Sequence, residues 1–316
     1  MNSFVCIMIC TRRRPRMLGE CLKSVLPQLN GGEGGDCVVV IENDDHPRSR
    51  DVVDRFKALF PDLNIVYALE PELGISPARN RGLAIAKNMH PEWLGFLDDD
   101  EVVTEGWLPA MRRAMVEFKA DVLTSGVRYI TPATLPLFYR RPSEISQKRG
   151  TLLNAAATNN TFLRKSWLTE QEEEFLFDSA FRFLGGSDIE FFSRLTSLGG
   201  RIVWVDDAFV EEEVPDGRIS LSYNMRRWQR VAAVMAYLRI RQNGRWKAFW
   251  GVFPRMVEWC ALGTLLIVYG GVEMAFSRDQ GAARIMSGLK KLSSFVGLIR
   301  GFFYLLPQPY KNVDGS

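Results

Sequence analysis

The chain has 316 residues, 47% hydrophobic, 24% charged and 11% aromatic, which supplies a packed core for one large domain or a domain with a satellite and excludes dominant disorder. Five cysteines (Cys6, Cys10, Cys21, Cys37, Cys260) without a CxxC pair, and only two histidines, argue against a zinc site or a disulfide scaffold. Net charge is +3, but residues 218–316 carry 15 Lys+Arg against 4 Asp+Glu, leaving 25 against 33 for residues 1–217. The acidic front half points to a metal-using site and the basic tail to a phosphate-rich partner.

Residues 4–10 (FVCIMIC) are apolar and β-branched enough for a buried strand ending at Thr11. The run precedes Arg12, Arg13 and Arg14, the reverse of the order in a secretory signal, so a cytosolic redox environment is expected. Leu18, Leu22, Val25, Leu26 and Leu29 share one helical face, predicting a helix over 16–29. A glycine-rich turn leads to a second buried strand, 37–41, stopped by the polar cluster 42–46. Residues 51–60 read as a helix and 64–68 as a third strand. Residues 74–88 begin as a loop and continue as a helix, with Pro77 suited to its first turn. Residues 93–97 (WLGFL) form a fourth apolar strand that ends abruptly in Asp98-Asp99-Asp100-Glu101.

This alternation predicts an α/β fold with a Rossmann-like, mostly parallel sheet. Such sheets bind ligands at the carboxyl ends of their strands, where Thr11, Glu42 and Asp98 are expected to converge. From about Leu152 the pattern is less regular: a strand or buried turn in 154–163, a helix over 186–198 and a strand over 202–205. After Ser220 the chain reads as helices rich in Arg, Trp and Phe, so it divides into a domain of residues 1–220 and a helical, basic and aromatic region of residues 221–316. Residues 259–272 are uncharged but short for a membrane span, which favours a re-entrant, interfacial or core helix. A span over 256–276 requires Glu258 and Glu273 to sit near the two interfaces. The aromatics and arginines around 246–255 and 298–304 suit a segment lying on a membrane surface.

Four segments carry candidate chemistry. The four acids at 98–101 repel one another, and a cation relieves that repulsion; oxygen ligands of this kind suit Mn²⁺ or Mg²⁺. A solvated acidic turn is the alternative. Strand alternation turns Asp98 and Asp100 toward a ligand together and Asp99 elsewhere. The segment Gly74-Ile75-Ser76-Pro77-Ala78-Arg79-Asn80 suits close approach to a phosphate or sugar, or is an ordinary capped helix start. Gly185-Gly186-Ser187-Asp188 either caps a helix or presents Asp188 to a cleft as general base. Glu211-Glu212-Glu213, with Arg226 and Arg227 beyond, offers a further metal ligand and phosphate-holding arginines, or surface charge.

In this order the four segments resemble the family 2 glycosyltransferases with a GT-A fold, and among them the succinoglycan-type glucosyltransferases of exopolysaccharide assembly. The residues carrying the resemblance are Cys10-Thr11-Arg12-Arg13-Arg14-Pro15, Glu42-Asn43-Asp44, Ile75-Ser76-Pro77-Ala78-Arg79-Asn80, Phe96-Leu97-Asp98-Asp99-Asp100-Glu101 with Trp107-Leu108, Gly185-Gly186-Ser187-Asp188, and Val214-Pro215 with Arg226-Arg227. It implies a nucleotide-sugar donor, a UDP-sugar being expected, one Mn²⁺ or Mg²⁺, and single displacement with inversion. It assigns donor contacts to Thr11, Arg12, Glu42, Asp44, Arg79, Asp98 and Asp99, with Arg226 and Arg227 holding phosphate. Asp100 and Glu211 become the metal ligands and Asp188 the catalytic base.

Three positions depart from the family pattern: Glu42 replaces an Asp, Ser187 replaces the Glu of a Glu-Asp pair, and Glu211 stands where a His is often found. Asn224-Met225-Arg226-Arg227-Trp228 only partly echoes the motif of processive synthases, so addition of one sugar to a lipid-linked saccharide is expected. The expected location is the anionic cytoplasmic face of a bacterial inner membrane, held peripherally or monotopically. A nucleic-acid partner is not expected. The competing readings are a non-catalytic sugar-nucleotide or membrane-binding protein of this fold, and a haloacid-dehalogenase-type phosphotransferase whose motif Asp98-x-Asp100-x-Val102 fits.

Overall fold

A computed structural model describes residues 4–32, 34–139, 147–170, 175–306 and 308. The chain divides into two compact units. One comprises the described residues of Met1–Tyr129 and Ser143–Glu213, the other those of Ile130–Pro142 and Val214–Gln308.

In the first unit the apolar runs become β1 (Val5–Thr11), β2 (Cys37–Glu42), β3 (Asn64–Leu69) and β4 (Trp93–Asp98), parallel in the order β3-β2-β1-β4. Helices α1 (Pro15–Val25), α2 (Arg50–Leu59) and α3 (Ile75–Asn88) connect them. Val5, Ile7, Ile9, Val38 and Val40 face one core and Cys6, Met8, Val39 and Ile41 another. With both faces covered, these strands have no polar alternation to show. Helix α1 stops at Val25 rather than at Leu29: Pro27 has no amide to donate, and Leu26–Gln28 tightens into a 3-10 turn.

Beyond β4 come β5 (Glu101–Val103), α4 (Trp107–Glu117), β6 (Val122–Thr124), β7 (Val127–Ile130), β8 (Leu152–Leu153), β9 (Thr161–Arg164), α5 (Ser166–Thr169), α6 (Ser187–Ser197), β10 (Ile202–Trp204) and β11 (Val210–Glu213). The main sheet continues β4-β9-β6-β10-β8, with β9 antiparallel to both its neighbours. A second sheet, β5-β11-β7, has no counterpart in the sequence reading. The fold is α/β with a large, mostly parallel sheet. Buried Asn160 ties its elements together: its amide donates to the carbonyls of Gly126 and Ala208 and its oxygen accepts from the Trp107 indole at 2.8 Å.

The second unit holds α7 (Asp216–Ile219), α8 (Leu221–Asn243), α9 (Arg245–Glu273) and α10 (Arg278–Phe302). Ala232, Ala236, Ile240, Ala248, Val252, Leu298 and Phe302 form the core of the three long helices. Helix α9 is the one helix among the described residues long and apolar enough to cross a membrane, judged by length and composition alone.

Candidate functional site

The parallel register sets the site. Thr11 lies opposite Glu42, and Cys10 opposite Asp98, so β1, β2 and β4 end together at one edge of the sheet. Strand β4 turns there through Asp99 and Asp100 into β5. Asp99 lies beyond the end of β4, in the turn, and points inward: Thr11 Oγ1 donates to it at 2.7 Å and Arg14 Nη1 at 3.2 Å. The same Arg14 nitrogen reaches Asp100 Oδ2 at 3.3 Å. Arg14, which the motif reading left without a role, is therefore the cation that holds the acidic turn. Arg12, next to Thr11, is half-buried.

Three acids of this turn, Asp98, Asp99 and Glu101, hold their protons more tightly than an ordinary carboxyl. Burial pushes Asp98 up to about 7, helped by the Asp100 charge and opposed by Arg79. Burial likewise lifts Asp99 to about 6 against the pull of Arg14. Glu101 is raised well above the usual range by burial and by Asp98, whose amide donates to its Oε2 at 3.0 Å. Its Oε1 is buried with no hydrogen-bond partner among the described residues. No three His, Cys, Asp or Glu side chains among the described residues are arranged to hold a metal by themselves. A divalent ion that takes one or two carboxylates and completes its shell with substrate phosphates fits this donor set.

Raised pKa values carry a stability signature. A folded carboxyl that keeps its proton contributes stability below its ordinary pKa, and that contribution is lost as pH rises through the folded value. For Asp98 the window runs from the ordinary carboxyl value of 3.8 to about 7. Asp98→Asn is therefore expected to melt several degrees above the parent at pH 8 in chelator, with the difference vanishing near pH 4. Thermal scans across that range check it; a difference independent of pH contradicts it.

Several assigned residues are engaged inside the protein. Glu42 is fully buried; its oxygens accept from the Ser49 amide at 2.8 Å, the Ser49 hydroxyl at 3.0 Å and the Tyr67 phenol at 2.6 Å. It therefore anchors β2 to the start of α2 and to β3 and is closed to a nucleoside, which corrects its assignment as a donor contact. Asp44 is internal too. Arg13 reaches both of its oxygens, at 2.6 and 3.4 Å, the Asp45 amide reaches Oδ1 at 2.8 Å, and Arg48 Nε lies 3.4 Å from Oδ2. Burial opposes its charge, but Arg13 and the Asp45 amide outweigh it and hold the carboxyl well below the usual range. Glu42→Gln is expected to cost about 2 kcal/mol of stability by placing an amide donor against donors, with ligand affinity of the folded protein unchanged. Denaturant titration and calorimetry separate the two effects.

The start of α3 works as a suture rather than an open phosphate cradle. The Gly74 amide donates to Asn43 Oδ1 at 2.7 Å and the Ile75 amide to the Arg182 carbonyl at 2.9 Å. Gly74 has φ +130°, and a Cβ there would lie 2.8 Å from the Arg182 oxygen. Asn80 exchanges two hydrogen bonds with the Phe177 backbone, at 2.9 and 2.8 Å. Arg79 is buried: Nη1 donates to Ser187 Oγ at 2.8 Å, Nη2 donates to Thr158 Oγ1, and the guanidinium lies 5.3 Å from the Phe177 ring centroid. Its hydrogen-bond partners among the described residues are neutral hydroxyls, so a buried cation faces the site without an ion pair. Thr158 carried no signal in the sequence.

Asp188 follows two left-handed glycines, Gly185 and Gly186, at φ +78° and +82°, and opens α6 half-buried. Its Oδ1 accepts from the Ile189 amide at 2.9 Å, and Oδ2 has no hydrogen bond from the described residues. Ser187 does not cap the helix; its hydroxyl serves Arg79.

The assignment of Glu211 is corrected by register. In the β5–β11 pair Glu211 lies opposite exposed Val102, and Glu212 opposite buried Glu101. Directly paired residues share a sheet face, so Glu212 turns toward the acidic cluster and Glu211 away from it. The Glu212 charge adds to the upward shifts of Asp98 and Glu101. Arg226 and Arg227 are exposed on α8, in the second unit.

Residues 6–170 match the family described as Glycosyl transferase family 2. The succinoglycan biosynthesis protein ExoM of Rhizobium meliloti (strain 1021) is 31% identical over 223 residues, 69% of this chain and 70% of that protein. The minor teichoic acid biosynthesis protein GgaB of Bacillus subtilis (strain 168) is 32% identical over 105 residues, 33% of this chain and 11% of its own length. Among solved structures, the mannosyltransferase PcManGT from Pyrobaculum calidifontis, in complex with GDP-Man and Mn²⁺, superposes with a TM-score of 0.61 at 14% identity, covering 95% of this chain and 88% of that one. S. aureus TarS 1–349 in complex with UDP-GlcNAc gives 0.53 at 14% identity, covering 92% and 91%. At such identities these structures establish the GT-A fold. With the profile covering the strands and turns that build the site, and a relative aligned over two thirds of both chains, this chain belongs to the family 2 glycosyltransferases.

Proposed function

We propose that the protein transfers one sugar from a nucleotide-sugar donor, with a UDP-sugar the first candidate, to a lipid-linked oligosaccharide, with inversion at the anomeric carbon. The product enters an exopolysaccharide or another surface polysaccharide, and the work is done at the cytoplasmic face of a bacterial inner membrane. The observation that carries this reading is Arg79, a buried guanidinium that grips Ser187 next to Asp188 and whose charge reaches Asp98, opposing the upward pull of burial on that carboxyl. One cation thus links the candidate base to the acidic turn and leaves positive charge for an anionic donor. The ligands named for the GT-A neighbours, GDP-Man with Mn²⁺ and UDP-GlcNAc, support a nucleotide-sugar and a divalent ion.

Mn²⁺ or Mg²⁺, when bound, supplies positive charge to the departing diphosphate. Asp100, with Glu212 turned to the same cluster, is the residue to hold it. Asp98, at the end of β4 beside this turn, is placed to accept a hydrogen bond from a donor hydroxyl. Asp188 takes the acceptor's hydroxyl proton at Oδ2 while Ile189 holds Oδ1. Arg79 acts through Ser187 as a positioning residue.

The test is transfer of labelled sugar from a panel of UDP- and GDP-sugars into organic-extractable saccharide acceptors, followed by the anomeric configuration of the product. Labelled lipid product with inverted configuration is expected. Retention of configuration contradicts the displacement mechanism, and donor binding without transfer to any acceptor returns the protein to the non-catalytic reading.

A further inference from the structure

The second unit packs its helices through glycines. A Cβ on Gly288 of α10 would lie 2.6 Å from the Gly263 carbonyl of α9, and one on Gly281 would lie 2.6 Å from that of Gly270. Both acids of α9 are used in the same interface. Glu258 pairs with Lys291 at 3.5 Å, and Glu273 takes two hydrogen bonds from Arg284, one at 3.0 Å. The glutamates that complicated a membrane reading of the sequence are thus ion-paired with α10, Glu258 at an exposed position and Glu273 at a half-buried one.

The opposite side of α9 is left apolar and open. Trp246, Trp250, Phe253, Val257 and Val268 are all exposed, Trp246 by 77% and Val268 by 62%. At about 100° per residue they fall within a sector of roughly 60°, and no charged residue lies in it. From Trp246 to Val268 the stripe runs about 33 Å. A helix on a water-facing surface carries polar groups there, and an apolar patch of this extent marks a covered surface.

Charge identifies the cover. Exposed Arg245, Lys247 and Arg255 flank the tryptophans, and the tail holds 15 basic residues against 4 acidic ones. Arg and Trp side by side suit the headgroup layer of an anionic bilayer. The outer positions of the other two helices carry Arg226, Arg227, Arg278 and Lys290, all exposed. Exposed apolar side chains are therefore concentrated on α9, with Val231 and Val296 the large ones on α8 and α10, whereas a spanning hairpin needs apolar faces all round.

We propose that α9 lies in the plane of an anionic lipid surface along its whole length, its Trp246–Val268 stripe in the headgroup–acyl boundary, with α8 and α10 on its water side. This rests on the membrane location proposed above and adds the face and the orientation. Cys260 lies on the same side of α9 and is the one exposed cysteine among the described residues, so it serves as a native probe.

The full chain is labelled at Cys260 with a polarity-sensitive fluorophore and mixed with vesicles of phosphatidylcholine with or without phosphatidylglycerol. A second variant, Cys260→Ser with Ser287→Cys, carries the label on exposed α10. Binding at least about tenfold tighter to the anionic vesicles is expected, with quenching by acyl-chain nitroxides at position 260 and not at 287. Sedimentation with vesicles but no quenching at 260 overturns the face while the membrane location stands. Quenching at both positions overturns the in-plane orientation in favour of immersion. Failure to bind either vesicle removes location and face together, and a lipid-free dimer that shields Cys260 assigns the stripe to a second copy instead.

Discussion

Asp188→Asn is expected to lower sugar transfer roughly 10³-fold, the range for loss of a positioned general base, while donor affinity stays within about twofold. Asn has the size of Asp, and its amide oxygen can keep the bond from the Ile189 amide at 2.9 Å. Helix α6 should therefore stay in place, still tied through Ser187 to Arg79. What disappears is a group able to take a proton from the acceptor hydroxyl. Nucleotide release in the presence of acceptor, with calorimetry on the donor alone, separates chemistry from binding. Activity within tenfold of the parent removes Asp188 from the base role. A parallel collapse of donor affinity makes it a binding residue instead.

Asp100→Ala is expected to weaken nucleotide-sugar binding in Mn²⁺ about 100-fold, worth nearly 3 kcal/mol, and to leave binding in chelator near the parent's value. The substitution removes one acceptor from Arg14, but Asp99 still accepts from that guanidinium at 3.2 Å, so the turn should hold its shape. Two neighbours sharpen the result. Glu212→Ala should lower metal-supported affinity measurably, because Glu212 lies beside Glu101 and its charge reaches Asp98. Glu211→Ala, paired with Val102 on the other face of the sheet, should leave it within about twofold. Equal effects at 211 and 212 contradict the register argument, and metal-independent binding in the parent contradicts the role of Asp100.

The first half of the fold was legible because burial leaves a simple mark. Strands covered on both faces are apolar throughout, and FVCIMIC, CVVVI and WLGFL can hardly be anything else between amphipathic helices. Their ends fell within a residue of those found, so the convergence of Thr11, Glu42 and Asp98 at one edge could be read in advance. Which of those side chains faces a ligand could not. Glu42 looks like a donor contact by position, and only the placement of Ser49 and Tyr67 shows that its oxygens are taken. The second sheet was invisible because its strands are three and four residues long. Within Glu211-Glu212-Glu213 three identical side chains carry no phase, so the pairing with β5 alone decides which one turns inward. Arg14 was hidden in a run of three arginines, of which one holds Asp44 and the next holds the acidic turn. In the tail, composition announced basic and aromatic character, but the ion pairing of Glu258 and Glu273 depends on contacts with α10 that lie far along the chain.

Every role proposed above turns on this sheet edge holding a nucleotide-sugar with the help of a divalent ion. Calorimetric titration of the full chain with a panel of UDP- and GDP-sugars, with Mn²⁺, with Mg²⁺ and in chelator, tests it most directly. Saturable, metal-dependent binding of at least one donor is expected, lost in Asp100→Ala and kept in Asp188→Asn. Absence of binding for every donor under every metal condition, in protein that is folded by thermal melting, would contradict it.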